Sequence, residues 1–200
     1  HKNKVKAYLA INTIIYDKEL KNVQSLLKKA KQAKIDAIIA WDFSVINEAN
    51  KLNIPIHIST QASLANFEAI KSLKKQYKNI QRDILARELS LDQIGSIIQK
   101  LKKEKINVEI ETFIHGAMCV SVSGRCFLSQ EVFGKSANRG ECLQPCRRMY
   151  TIKDVEENHE FSVGGEYVLS PKDLCTIKII DKLLSSGIAC FKIEGRNRSP

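Results

Sequence analysis

The chain has six cysteines, and none lies in its first 118 residues. A disulfide framework of the kind that staples small secreted folds therefore cannot organise most of the molecule. No apolar run approaches the ~20 residues that cross a bilayer as a helix, so no membrane partner is expected. The start lacks the charged, apolar, small-residue succession of a secretory leader. It also lacks an initiator Met. Residues 4–12 already read as a core strand, so the chain reads as a piece excised from a longer protein. There is no Gly-x-Ser-x-Gly elbow for a serine hydrolase and no His-Glu-x-x-His for a zincin.

Negative charge is the other shortage. The formal net charge is +10, with 32 Lys and Arg against 22 Asp and Glu. Residues 1–110 hold 18 Lys and two Arg. Those Lys fall mostly at solvated helix positions such as Lys28, Lys29, Lys74 and Lys75, which by itself says little about a polyanion partner. Arg is distributed otherwise: six of the eight follow residue 111. Arg125, Arg139, Arg147 and Arg148 crowd one short stretch, and Arg is the side chain for planar, bidentate phosphate contacts.

Up to residue 114 the pattern is strand and helix in alternation. Strands are expected at Lys4–Asn12, Ile35–Trp41, Ile54–Ser59, Ile80–Arg87 and Ile106–Ile114. Between them, Leu20, Val23, Leu26, Leu27, Ala30 and Ala33 make one helical stripe, and Val45–Leu52 a short helix. Ser63 is expected to cap a third helix, and Ser90 with Gln93 forms a capping box for a fourth. Regularity then fails from Gly116 to about Glu166. It resumes at Tyr167, with a helix capped by Ser170-Pro171-Lys172-Asp173 and ending at Gly187, then a sixth strand at Ile188–Glu194. Such alternation means an α/β fold with a parallel sheet, either doubly wound or six-eighths of a (β/α)8 barrel. In both, ligands sit beyond the strand C-termini. Asn12, Asp42, Gln61, Arg87, Glu88, Glu111, His115, Glu194 and Arg196 stand there.

The irregular stretch carries Cys119, Cys126, Cys142 and Cys146. The first pair has six residues between its members and the second three, which is not zinc-finger spacing. Clustered thiols on a Gly-bearing loop suit tetrahedral zinc or an iron–sulfur cluster. Cys175, read as lying in the first turns of the Ser170-capped helix, gains thiolate character from the helix dipole. Cys190 lies in an apolar strand and reads as a packed thiol.

One motif, Glu111-x-Phe113-x-x-Gly116-Ala117-Met118-Cys119-(x)4-Gly124-x-Cys126-x-Leu128-Ser129, resembles the signature of the collagenase-like U32 peptidase family at every defined position. Ser59-Thr-Gln-Ala, Leu85-Ala-Arg-Glu-Leu-Ser90, Asn138-Arg-Gly-Glu-Cys142, Ser170-Pro-Lys-Asp-Leu174 and Phe191-Lys-Ile-Glu-Gly-Arg196 extend the resemblance over the whole chain. It implies a partial TIM-type barrel of about six βα units, with a Cys- and Arg-rich insertion at 116–166 after the fifth strand. Residues 1–200 would be a single barrel-like domain truncated at both ends. It also implies two kinds of activity. One is collagenase-type proteolysis. The other is oxygen-independent hydroxylation, of tRNA wobble uridine, of rRNA or in ubiquinone synthesis. The hydroxylating relatives imply a four-iron–four-sulfur cluster on four Cys, and prephenate as hydroxyl source for the RNA-modifying ones. By position Cys119, Cys126, Cys142 and Cys175 match the ligand pattern, with Cys146 competing for the fourth place and zinc the alternative group.

A cysteine protease needs an activated thiolate beside a His. His115 and Cys119 are near in sequence, but Cys119 is also the best cluster ligand. Between Gly116 and Tyr150, Arg125, Lys135, Arg139, Arg147 and Arg148 face only Glu131 and Glu141, a rim suited to RNA phosphates. The expectation is therefore a cytoplasmic RNA-hydroxylating enzyme acting on tRNA or rRNA, not DNA. His115, Glu111, Glu88, Arg87 and Glu194 are its candidate catalytic residues. Proteolysis of a protein substrate and small-molecule hydroxylation are the alternatives.

Overall fold

A computed structural model describes residues 3–162 and 168–195. The expected resumption at Tyr167, the insertion's end at Glu166 and the strand-end residue Arg196 lie outside them. Tyr8–Ile11 (β1), Ala37–Ala40 (β2), Ile56–Ile58 (β3), Ile80–Ile84 (β4) and Glu109–Gly116 (β5) pair side by side, all parallel. Cys190–Ile193 (β9) adds parallel to the other side of β5. The order of these six strands follows the sequence without a switch and the sheet curls as half a barrel. A doubly wound sheet reverses at a switch point, so of the two expected architectures the singly wound one is present.

Leu20–Gln32 (α1), Phe43–Lys51 (α2), Phe67–Gln76 (α3) and Leu91–Lys103 (α4) make the crossovers. They cover the convex face. Val23 and Leu27 of α1, Ile46 and Ala49 of α2, Ile70 of α3 and Ile97, Ile98 and Leu101 of α4 join Ile38, Ile56, Ile58 and Ile80 in one apolar core. Leu26, expected inward, is 42% exposed. The Ser90–Gln93 capping box forms as expected. Ser63 does not cap α3. It takes a left-handed conformation closing a 3-10 turn, and the side chain of Asn66 accepts from Ala69 N at 2.9 Å instead.

Three helices end alike. Lys34, Asn53 and Lys105 have φ of 55°, 53° and 54° after α1, α2 and α4. In each case the next residue donates back five positions: Ile35 to Ala30, Ile54 to Ala49 and Ile106 to Leu101. This is a Schellman closure with Lys or Asn where Gly is commonest, and the apolar residue that follows it enters the core.

Between β5 and β9 the regular rhythm is absent. Leu128–Phe133 (α5) is one short helix, Ala137–Arg139 and Pro145–Arg147 are 3-10 turns, and Thr151–Lys153 (β6) with Glu160–Ser162 (β7) is an outlying hairpin. The helix expected from Ser170 is displaced. Leu174–Cys175 (β8) lies antiparallel against the end of β5, and the helix Ile180–Ser185 (α6) begins only after it. Thr176 explains the change: its N and Oγ1 both donate to Ile114 O, at 3.1 and 2.9 Å. Pairing to the sheet edge thereby overrides the local capping signal, and Cys175 sits on a strand, not in a helical first turn.

Candidate functional site

A cavity of ≈ 440 Å³ opens at the C-terminal ends of the parallel strands. Its floor is Ala10, Ile39, Ile84 and Phe113, from the concave face of the sheet. Ser59 and Gln61 after β3, Arg87 after β4, Cys119 after β5 and Glu194 after β9 form the wall. The roof comes from the irregular segment and brings Cys126, Cys142 and Cys146. Thus four of the six cysteines, all from the irregular stretch after β5, converge on one cavity.

Leu128 N lies 3.4 Å from Cys126 Sγ, and Gln144 N lies 3.4 Å from Cys142 Sγ. Hydrogen bonds to ligand sulfurs are among the features that set the potential of an iron–sulfur centre. Cys146 is buried, and burial raises its thiol pKa, with the neighbouring Cys142, Cys119 and Cys126 adding to the rise. Among the described residues no group of three or more His, Cys, Asp or Glu is drawn tightly enough to hold a single ion. Four ligands on one zinc must all reach ~2.3 Å of it, whereas a four-iron cluster takes its thiolates at separate irons. Four thiols around one cavity are a donor set of the right chemistry for an iron–sulfur cluster or for zinc. Cys175 is exposed, opposite His115 in the β5–β8 pairing, and is not part of the cavity wall. Cys190 lies lower on the sheet beside Glu111, and burial raises its thiol pKa.

Cations line the cavity as well. Arg87 Nη1 donates to Ala117 O at 2.6 Å, and its guanidinium lies 3.8 Å over the Phe113 ring. Burial pulls its pKa down, while Cys119 and Glu194 oppose that shift. Its Nε is buried without a hydrogen-bond partner. Lys192 Nζ lies 3.0 Å from Glu111 Oε1 and 5.5 Å over Phe113.

Beneath the cavity, Arg82 links Glu109 and Glu111 at 2.6 and 3.1 Å. Burial raises the Glu111 carboxyl, but Lys192 and Arg82 outweigh it and hold Glu111 below its usual value. Glu111 is thus an ionised strut between two cations. His57, 4.7 Å from the Tyr8 ring, is driven down to about 4 by burial and by Arg82.

Of the expected catalytic residues, the structure brings Arg87 and Glu194 together at the cavity. Glu111 lies under it in ion pairs, and Glu88 and His115 are exposed away from its lining. The expected phosphate-binding Arg residues divide too. Arg147 is 11% exposed, with Nη1 2.6 Å from Asp173 Oδ1 and Nη2 2.7 Å from Met118 O. It ties together the segments that carry Cys119, Cys146 and Cys175. Arg139 pairs with Glu19, donates to Ile14 O and lies 4.6 Å over Tyr16. Arg125 and Arg148 are exposed. Lys192 was not anticipated. A Lys two residues from both Cys190 and Glu194, inside an otherwise apolar strand, is the period-two signal that marks it.

The chain matches Peptidase family U32 over residues 1–200 and belongs to that family. It is 42% identical over 202 residues to a collagenase of Porphyromonas gingivalis, covering 98% of this chain and 48% of that protein. It is 36% identical over 200 residues to tRNA hydroxylation protein P1 of Bacillus subtilis, covering 97% of this chain and 46% of that one. It is 38% identical over 199 residues to a 23S rRNA 5-hydroxycytidine synthase of Escherichia coli, covering 98% of this chain and 28% of that one. The chain spans about half or less of the length of these relatives. No solved structure matches it. Among the described residues no helix is long and apolar enough to cross a membrane.

Proposed function

We propose that this chain is the cluster-bearing part of a cytoplasmic enzyme that hydroxylates a pyrimidine of tRNA or rRNA. The observation that carries the reading is the convergence of Cys119, Cys126, Cys142 and Cys146 on a cavity that also holds Arg87, Lys192 and Glu194. A proteolytic site needs a thiolate free to attack and a His to activate it. Here Cys119 stands among other thiols, and His115 lies outside the cavity lining. Relatives named for tRNA and rRNA hydroxylation support the same reading.

Cys119, Cys126 and Cys142 would hold a four-iron–four-sulfur cluster in the Cys-rich segment that roofs the barrel mouth. Bound there, the cluster supplies redox-capable, Lewis-acidic iron. The fourth thiolate is contested by Cys175 and Cys146. Cys175→Ser and Cys146→Ser separate them, because only loss of a true ligand lowers the iron content. Arg87 and Lys192 attract the carboxylates of a small organic anion, prephenate as hydroxyl source. Ile39, Ile84 and Phe113 keep the floor dry, which strengthens those charge contacts.

The test is nucleoside mass spectrometry of RNA from a strain lacking the gene. A hydroxylated pyrimidine should vanish, return with the wild-type full-length protein, and stay absent with Cys119→Ala. Unchanged nucleosides, together with gelatin cleavage by the purified protein, would instead establish the peptidase.

A further inference from the structure

Next to the cysteine-lined cavity is a second hollow of ≈ 400 Å³, bounded by Trp41, Gln61, Gly124, Arg125, Phe127 and Asn138. Its volume falls within the range of ligand clefts, about 300–1,000 Å³. Gln61, Ser123 and Gly124 belong to both hollows, so only a thin septum parts them. Gly124 has φ +80°, and a Cβ there would stand 2.8 Å from Gln61 Nε2. Any side chain at that point would crowd the septum.

The walls are aromatic, and one of them is held in place. Trp41 Nε1 donates to Asn12 O at 3.0 Å, which fixes the indole. The Arg125 guanidinium lies 5.4 Å over that indole and donates to Gln61 O at 2.9 Å. Phe127 is 68% exposed, with its ring at the rim. Arg125 is the one charged residue of the lining, and Gln61 and Asn138 add amides. Flat apolar surface, one cation and amide groups match what an unpaired nucleotide offers: a ring face, a phosphate and base edges.

We propose that this hollow takes the base of an unpaired nucleotide adjacent to the reacting one, stacked on Phe127 with its phosphate on Arg125. The inference rests on the RNA reading above and gives that reading a location for the flanking nucleotide. It is tested with cluster-reconstituted full-length protein and two fluorescent probes. One is a short oligouridylate; the other is an abasic oligomer of equal length, with the same phosphates and no bases. Phe127→Ala should weaken oligouridylate binding about tenfold, the scale of one lost base–aromatic stack. It should leave the abasic probe unaffected, and Phe127→Tyr should retain binding. Arg125→Ala should weaken both probes. If Phe127→Ala weakens both equally, or neither, the stacking proposal is overturned while the RNA reading stands. If Phe127→Ala spares the RNA but weakens binding of a gelatin peptide, the hollow belongs to a protein partner and the proposal is likewise overturned. If the wild type binds neither probe, the RNA reading falls and the proposal falls with it.

Discussion

The βα part up to Gly116 and the segment that roofs its cavity are held together by different forces. The first buries a continuous body of Ile, Leu, Val and Ala, with Lys outside and capped helices around it. The second leaves Val120, Val122, Phe127, Val132, Leu143 and Met149 exposed. Arginines tie it down where apolar packing is thin: Arg87 to Ala117, Arg125 to Gln61, Arg139 to Glu19 and Arg147 to Asp173 and Met118. A segment with so little core of its own gains most from a group bound among its thiols, because metal binding is also folding free energy. The scaffold is held by its apolar core, and the roof by polar ties to it.

The largest expected effect belongs to the scaffold. Ile58 is fully buried at the centre of the sheet, so Ile58→Ala should cost about 2–5 kcal/mol in urea unfolding. Leu143→Ala, at a half-exposed position of the roof, should stay within about 0.5 kcal/mol. Comparable costs at the two sites would dissolve the distinction.

Next comes a pH effect confined to the scaffold. Asp83 is fully buried on β4, neither carboxylate oxygen has a hydrogen-bond partner, and burial raises it from 3.8 to about 7 against the opposing charge of Lys74. The unfolded chain ionises first, so this residue lowers stability as pH climbs from about 4 to about 7. His57 acts in the opposite sense. It falls from 6.5 to about 4, so the unfolded chain takes up the proton first and stability drops as pH falls through that window. The wild type should therefore show a shallow profile between about pH 4.5 and 6.5. Asp83→Asn should unmask a rise in stability with pH over that interval, read from thermal melts at each pH. A profile unaltered by Asp83→Asn would contradict the burial argument.

A smaller and local effect is expected at Arg147. In reduced apoprotein, Arg147→Ala should speed alkylation of Cys119 and Cys146 while amide exchange in α1 and α4 stays the same. Arg147→Lys should rescue poorly, because one ammonium cannot serve Asp173 and Met118 O in the planar fork that Arg provides. Equal loss of protection in the helices would mean that the roof is part of the core.

The smallest effect is a gain. Lys34→Gly or Lys105→Gly should relieve a left-handed residue and stabilise by about 0.5–1 kcal/mol in urea unfolding. Asn53→Gly should gain less, since Asn tolerates that conformation.

The same division explains what was legible in the sequence. The strands, the four crossover helices and the Ser90 cap follow from periodicity, because burial in the scaffold is decided by short local patterns. The Schellman ends at Lys34 and Lys105 escape notice, since composition alone signals them only when Gly is present. In the roof, the Cys positions named a site, but no local rule says that Arg147 turns inward to Asp173. Nor does any local rule say that Thr176 docks on Ile114 and converts a well-capped helical start into β8. Those outcomes depend on contacts between residues far apart in sequence, where long-range pairing outweighs propensity. Lys192 and Arg82 were hidden for a related reason: a cation in a strand reads as a solvated edge until its carboxylate partners, Glu111 and Glu109, are known.

The central claim is that the roof thiols hold an iron–sulfur cluster, and metal analysis of the full-length protein purified and reconstituted without oxygen tests it most directly. The account predicts about four iron and four sulfide per chain, lost with Cys119→Ala or Cys126→Ala and kept with Cys190→Ala. Stoichiometric zinc with no sulfide would contradict it.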